Sequence, residues 1–158
     1  MNKNRATDKV KKEYNFQKGV ETCPLEGKCQ IDAIVYKATV TASDGEVKTY
    51  TGCTDRTFKQ RHYGHMSDFK NRENRNNSKL AGYVREKKDG GVAIDNVKWE
   101  VIKKCHKYHP GGDMCDVCLT EKLSIMKNKA YNSLNKRHEL MNTCRHRRRY
   151  KLALVKDR

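Results

Sequence analysis

The feature that most constrains the fold of this chain is a pair of β-prone runs on either side of a turn dipeptide. The first run covers residues 34–40, the second covers residues 47–52, and Asp44-Gly45 stands between them. Aspartate and glycine tolerate the positive φ angles that short hairpin turns require. The pattern therefore predicts an antiparallel β-hairpin.

Each run carries one tyrosine, Tyr36 and Tyr50. The start of the first strand of a hairpin lies beside the end of the second, so we expect the two phenols to lie together at the open end. Thr54 is the expected N-cap of a following helix, on which Arg61 and His65 are four residues apart and share a face. The sequence thus predicts two phenols, a guanidinium and an imidazole in one neighbourhood.

The rest of the chain alternates helical and extended patterns. The remaining predicted elements are a solvated loop at residues 71–77, a second helix capped by Ser78, a third strand at residues 97–102, a third helix with Leu119, Leu123 and Met126 on its apolar face, and a fourth helix at residues 134–144. The order ββααβαα predicts a small three-stranded antiparallel sheet flanked by helices, an α+β fold.

Charge narrows the function more than length does. The chain has 158 residues, enough for one domain, and 35 basic against 19 acidic residues give a net charge of +16. Such a charge attracts polyanions, most commonly nucleic acid, although ribosomal, histone-like and membrane-surface proteins share it. No apolar run approaches the ~20 residues that cross a bilayer, and no signal peptide opens the chain. We therefore expect an intracellular protein with no membrane partner.

The residues of the hairpin and of the helix after it resemble the GIY-YIG nuclease superfamily. Ile34-Val35-Tyr36 matches the first tripeptide and Tyr50-Thr51-Gly52 the second, and Arg61, His65 and Glu121 follow in the order of the family. Ile34 replaces the first glycine and Thr51 the middle isoleucine, and neither change removes a functional side chain. The resemblance covers about residues 32–148. The runs CPLEGKC, CDVCLTEK and LNKRHELMNTCRH are similar, more particularly, to endonuclease domains of Penelope-like retroelements.

The resemblance implies a sheet with the first strand in the middle and a metal-dependent DNA endonuclease at residues 22–148. A polar, basic arm at residues 1–21 precedes this domain, and a basic tail at residues 149–158 follows it. The expected partner is DNA, cut for a mobile element, with a reverse transcriptase domain in the same polyprotein and a nuclear location in a eukaryote. A repair or restriction nuclease of the same superfamily, or a domain that binds nucleic acid without cutting it, remain alternatives.

The resemblance also implies a role for each candidate residue. Tyr36 is the expected base, Tyr50 its hydrogen-bonding neighbour, Arg61 the ligand of the scissile phosphate, His65 a residue that orients or donates a proton, Glu121 the anchor of Mg²⁺ or Mn²⁺, and Asn135 a further site residue that Asn132 rivals by spacing. A phenol is a poor base near its ordinary pKa of ~10. We therefore expect Arg61, Lys48 and the metal to lower the pKa of Tyr36.

A second group of residues suggests structural zinc. Its candidate ligands are Cys23, Cys29, Cys115, Cys118, Cys144 and His146. The C-x-x-C at residues 115–118 has zinc-knuckle spacing, and the predicted topology brings all six groups to one edge of the sheet, although one zinc takes only four ligands.

Several choices remain open for this zinc site. The resemblance favours Cys23, Cys29 and His146, completed by Cys144 or by the C-x-x-C pair. His106 and His109 are further candidates, whereas Cys53 and Cys105 are expected to be packing residues. In an intracellular chain we expect thiols or metal ligands rather than disulfides.

Overall fold

The computed structural model describes residues 23–107 and 114–135. The elements in order are β1 (Asp32–Ala42), β2 (Val47–Thr57), α1 (Phe58–Lys70), a 3-10 helix (Arg72–Asn76), α2 (Lys79–Asp89), β3 (Ile94–Lys104) and α3 (Asp116–Lys127). The predictions for the basic arm, the basic tail, His109, Cys144 and His146 lie outside the described residues.

The three strands form one antiparallel sheet in the order β2-β1-β3, so the α+β prediction with the first strand in the middle is confirmed. Gly45 turns the hairpin at φ +87°. Tyr36 pairs with Gly52, and Tyr50 pairs with Ala38. Because residues two apart in a strand share a face, the two tyrosines are diagonal neighbours, as predicted.

Both faces of β1 are covered. Ile34, Tyr36, Ala38 and Val40 pack in one apolar cluster with residues of α1 and α2. On the opposite face, Val35 packs in a second cluster with residues of α3. Since alternate side chains of a strand point to opposite faces, this explains why the middle of β1 is an unbroken buried run.

The first helix begins later than the sequence predicts. Thr54 is not its N-cap, because Thr54 still pairs with Ile34 inside the sheet. The cap is Thr57, whose hydroxyl accepts a hydrogen bond from the N–H of Gln60 at 3.3 Å. The predicted cap of the second helix is confirmed: the Ser78 hydroxyl accepts from the N–H of Ala81 at 3.0 Å.

Other boundaries also differ. Residues 72–76, predicted as a loop, form the 3-10 helix. The predicted apolar face of α3 is wrong, since Leu123 and Met126 are 42% and 49% exposed while Glu121 and Lys122 are buried. Leu134, the expected start of a fourth helix, instead donates its N–H to the carbonyl of Thr49 at 2.8 Å and extends the sheet edge. The remainder of that helix lies outside the described residues.

Within the described part of the chain, no helix combines the length and apolarity needed to span a membrane.

An ionic cluster fixes α2 to the hairpin turn. The Lys87 ammonium lies 2.8 Å from Oδ2 of Asp44 and also contacts Glu46. The Tyr83 hydroxyl donates to Oε2 of Glu46 at 3.0 Å. Hydrogen bonds from Lys87 hold the pKa values of both carboxyls below their ordinary values of 3.8 and 4.5. The charged carboxylates are therefore favoured in the folded state.

We predict that this cluster adds to stability at neutral pH and loses its effect in acid. A carboxyl whose pKa is lower in the folded state contributes fully above its unfolded pKa, and the contribution disappears as the pH falls through the folded pKa. Replacing Lys87 by Met should therefore reduce the free energy of unfolding at about pH 6 more than at about pH 3. Urea titrations at both pH values measure this. The control, Lys28→Met, removes an exposed lysine, and an equal pH dependence in both variants would contradict the prediction.

Candidate active site

A buried phenol on β1 forms the centre of the candidate site. Tyr36 is fully buried, and its hydroxyl accepts a hydrogen bond from Nε of Arg61 at 3.1 Å. The same hydroxyl lies 2.6 Å from Nε2 of His65. The rings of Phe58 and Trp99 pack around it with centroids 5.5 and 5.9 Å from its own. The predicted meeting of Tyr36 with Arg61 and His65 is therefore observed.

The glycine of the second tripeptide makes room for this phenol. A Cβ atom at Gly52 would stand 2.6 Å from the hydroxyl oxygen of Tyr36 and 2.8 Å from Cε1 of Tyr50. Both distances are too short for unbonded atoms, and Tyr36 has no exposed surface into which to move. Gly52 is thus required by close packing between the two tyrosines.

A β-bulge lies beside the phenol. Val35 pairs with Lys103 and Tyr36 with Val101, so Ile102 is an additional residue of β3 at this step. Bulges bend a strand and re-aim its neighbours, and they are frequent next to functional sites. The bulge falls where the first tripeptide ends.

Burial decides the protonation of this cluster. Burial raises the pKa of Tyr36 above its ordinary value of 10.0, and the nearby Arg61 opposes this only in part. Burial lowers the pKa of His65 to about 3, and the charge of Arg61 acts in the same direction. Near neutral pH the phenol therefore keeps its proton and the imidazole is uncharged. Since the phenol oxygen accepts from Arg61, the hydrogen bond to Nε2 of His65 assigns the imidazole proton to Nδ1.

The expectation that cations lower the pKa of Tyr36 is therefore wrong for this structure. The physical reason is that desolvation of the phenolate outweighs the attraction of one partly exposed guanidinium. Lys48, the second expected cation, lies near the hairpin turn, where its ammonium is 3.6 Å from Oε1 of Glu46.

Tyr50 and Arg61 complete the cluster. A hydrogen bond links them, and the Tyr50 ring centroid lies 6.1 Å from that of His65. Tyr50 is 5% exposed, whereas Arg61 is only partly buried. The guanidinium is therefore the part of this cluster that an anionic ligand can reach from solvent.

Asn135 contacts the second tripeptide through its side chain. Its Oδ1 accepts from the N–H of Thr51 at 2.7 Å, and its Nδ2 donates to the carbonyl of Thr51 at 2.9 Å. One side-chain amide thus imitates the backbone of a neighbouring strand at the outer edge of β2. Asn132, the rival by spacing, lies farther back and reaches the carbonyl of Val47 at 3.4 Å.

Glu121 approaches the site from the other side of the sheet. It is buried on α3, and its carboxyl interacts with the thiol of Cys53. Cys53 directly follows Gly52 and also acts on the pKa of Tyr36. Cys53 therefore connects Glu121 with the tyrosine cluster, a position that its assignment as a packing residue missed. Its place next to the second tripeptide was the signal in the sequence.

The structure differs from the zinc expectation at the first two cysteines. Cys23 and Cys29 are joined in a disulfide. Zinc binds thiolates, and a disulfide sulfur carries no such charge, so in this state the pair cannot act as ligands. The expectation of thiols only is thus wrong for these two residues.

The other candidate ligands have different surroundings. Cys115 and Cys118 are free and buried at the start of α3, with Cys105 in the same cluster, whereas His106 is exposed. Over residues 23–107 and 114–135, no group of three or more His, Cys, Asp or Glu side chains is arranged to hold a metal ion. A complete ligand set would therefore need residues from outside these ranges.

Comparisons with protein-family models, with curated proteins and with solved structures found no match to this chain. The functional argument therefore depends on the residues and their geometry.

We predict opposite effects of two glycine substitutions. Gly52→Ala should lower the free energy of unfolding by about 1–3 kcal/mol, because its methyl group overpacks the two tyrosines. The matched control, Gly64→Ala, lies in α1 with no atom within 4 Å of its added Cβ, and should raise stability by up to about 1 kcal/mol. Urea denaturation of both variants measures this, and an undiminished stability of Gly52→Ala would refute the assigned packing.

Proposed function

We propose that this chain is a metal-dependent DNA endonuclease of the GIY-YIG type. The observation that carries the proposal is the buried hydroxyl of Tyr36, which contacts both Arg61 and His65 directly over Gly52. A strand tyrosine that serves only packing has no need of a guanidinium and an imidazole on one oxygen. The order of these residues along the chain is that of the nuclease motif, which supports the same reading.

The residues of the cluster divide the work of phosphodiester hydrolysis. Arg61, partly exposed, binds the scissile phosphate and offsets the charge that develops on it. The Tyr36 oxygen takes a proton from the attacking water while its own proton passes to Nε2 of His65, 2.6 Å away. This relay moves protons without a free phenolate, which burial disfavours. Tyr50 and Asn135 hold the second tripeptide in place.

Glu121 is the residue that would hold Mg²⁺ or Mn²⁺. One carboxylate is a sufficient protein anchor, since Mg²⁺ keeps several of its waters. The buried carboxyl of Glu121 next to Cys53 places an oxygen ligand at the second tripeptide, which fits this use. A bound divalent cation supplies Lewis-acid stabilisation of the phosphate and a more acidic water.

The substrate class follows from the charge of the chain. A net charge of +16 suits a polyanion, and we propose DNA cut for a mobile retroelement, as the CPLEGKC and CDVCLTEK runs suggest. A reverse transcriptase domain in the same polyprotein and, in a eukaryote, a nuclear location belong to this proposal. A repair or restriction role of the same fold, or DNA binding without cleavage, are the alternatives that activity assays separate.

A structural zinc is the second metal of the proposal. The disulfide takes Cys23 and Cys29 out of the set of six candidates, which leaves Cys115, Cys118, Cys144 and His146, the number that a tetrahedral zinc needs. Burial of Cys115 and Cys118, which are 1% and 4% exposed, suits a structural site at the start of α3. This zinc would anchor the helix that carries Glu121.

We predict that Glu121→Gln abolishes nicking of supercoiled plasmid in Mg²⁺ or Mn²⁺ while DNA binding persists, because the metal acts mainly on the transition state. Arg61→Ala should lose a factor of about 10² or more in rate. The control Glu86→Gln changes an exposed carboxylate on α2 and should cut at the wild-type rate. Wild-type cleavage by Glu121→Gln would refute the metal anchor, and binding with no cleavage by the unmodified chain would favour the non-catalytic alternative.

We also predict about one zinc per purified chain by elemental analysis. Cys118→Ser should lose this zinc and melt at a lower temperature, because a ligand is removed. Cys23→Ser should retain it, since Cys23 is bonded to Cys29. Zinc that disappears in Cys23→Ser would instead return the first two cysteines to the ligand set.

A further inference from the structure

The N-terminus of α1 is held by a loop that precedes the sheet. The first N–H groups of any helix have no acceptor inside the helix. Here the carbonyl of Ile31 accepts from the N–H of Phe58, and the carbonyl of Cys29 accepts from the N–H of Lys59, both at 2.8 Å. Two of the first helical N–H groups are therefore bonded to residues 23–31, which we name the cap loop.

The cap loop is itself closed and anchored. Its ends are joined by the Cys23–Cys29 disulfide, and a turn inside it places Gly27 at φ +93°. Leu25 and Cys29 are buried in the same apolar cluster as Phe58 and Tyr36. The loop therefore transmits its own conformation both to the first turn of α1 and to the core around the phenol.

The site residues of α1 follow directly after this cap. Arg61 lies two residues beyond Lys59, and its contact with Tyr36 is a 3.1 Å hydrogen bond from a partly exposed side chain. His65 lies one turn later and is fully buried against the same oxygen. A shift of the first turn of α1 would therefore displace Arg61 more readily than His65.

We propose that the cap loop is a positioning element for Arg61 and that its Cys23–Cys29 disulfide makes the site responsive to thiol reductants. The kinetic part of this inference rests on the proposed nuclease function, whereas the structural part stands on the cap geometry alone. Opening the ring removes the covalent constraint that keeps the carbonyls of Cys29 and Ile31 aimed at α1.

The chemistry is thiol–disulfide exchange with a dithiol such as dithiothreitol. A thiolate of the reagent attacks Sγ of Cys23, the more exposed sulfur, and Cys29 leaves as a thiolate that takes up a proton. The second thiol of the reagent then displaces Cys23. The reagent ends as its cyclic disulfide, and the two cysteines gain two electrons and two protons.

The first experiment reads the structure without using activity. Thiol titration of the full-length chain, unfolded without reductant, should find five thiols among the seven cysteines, and seven after reduction. On reduction, hydrogen exchange at the amides of Phe58 and Lys59 should become at least about tenfold faster. The amides of α2, which has its own Ser78 cap, should keep their protection and serve as the internal control.

The second experiment reads the site. Reduction, or the substitution Cys23→Ser, should lower kcat for plasmid nicking several-fold with little change in KM, because Arg61 acts on the transition state more than on DNA binding. Cys23→Ser should not respond further to dithiothreitol. A merely structural defect would instead lower the active fraction in proportion to unfolded protein, which circular dichroism of the same samples measures.

The two experiments fail in different ways. Seven thiols without reductant, or unchanged exchange at Phe58 and Lys59 after reduction, would overturn the cap-loop proposal even if the chain cuts DNA. Faster exchange at both amides in a chain that never cuts DNA would support the cap loop and refute the nuclease function. Faster exchange with an unchanged kcat would overturn the link between the loop and Arg61.

Discussion

The hydroxyl of Tyr36 is the interaction on which the arrangement of the sheet and α1 depends. It is fully buried, so protein groups must satisfy it, and its two partners both come from α1. Leaving such a group unpaired costs about 1–3 kcal/mol. The position of α1 on the sheet is therefore coupled to the hydrogen bonding of one phenol, and the same contacts that stabilise the fold assemble the candidate site.

Local signals in the sequence sufficed for the parts of the fold that local chemistry decides. The Asp44-Gly45 turn and the Ser78 cap were predicted correctly, since each depends on residues within one turn of the chain. The choice between Thr54 and Thr57 as the first cap was not local. β2 continues until its pairing partner β1 ends at Asp32, and two threonines three residues apart give the same signal from sequence alone.

Tertiary surroundings explain what sequence could not reveal about the site. Helical spacing predicted that Arg61 and His65 face Tyr36, but the direction of the pKa shift at Tyr36 depends on burial that distant elements impose. The face of α3 was misread because Glu121 and Lys122 are buried where polarity suggested exposure. The spacing of Cys23 and Cys29 fits either a metal pair or a disulfide, and only the closed loop separates the two.

The amide of Asn135 has a consequence for how the chain folds during synthesis. It closes the outer edge of β2 across 84 residues of sequence, the longest separation in the site. Contacts at such separation form slowly, and until then an unpaired strand edge can associate with other chains. A ribosome must therefore release the segment around Asn135 before that edge is covered, so a nascent chain paused earlier would be the aggregation-prone species of this protein.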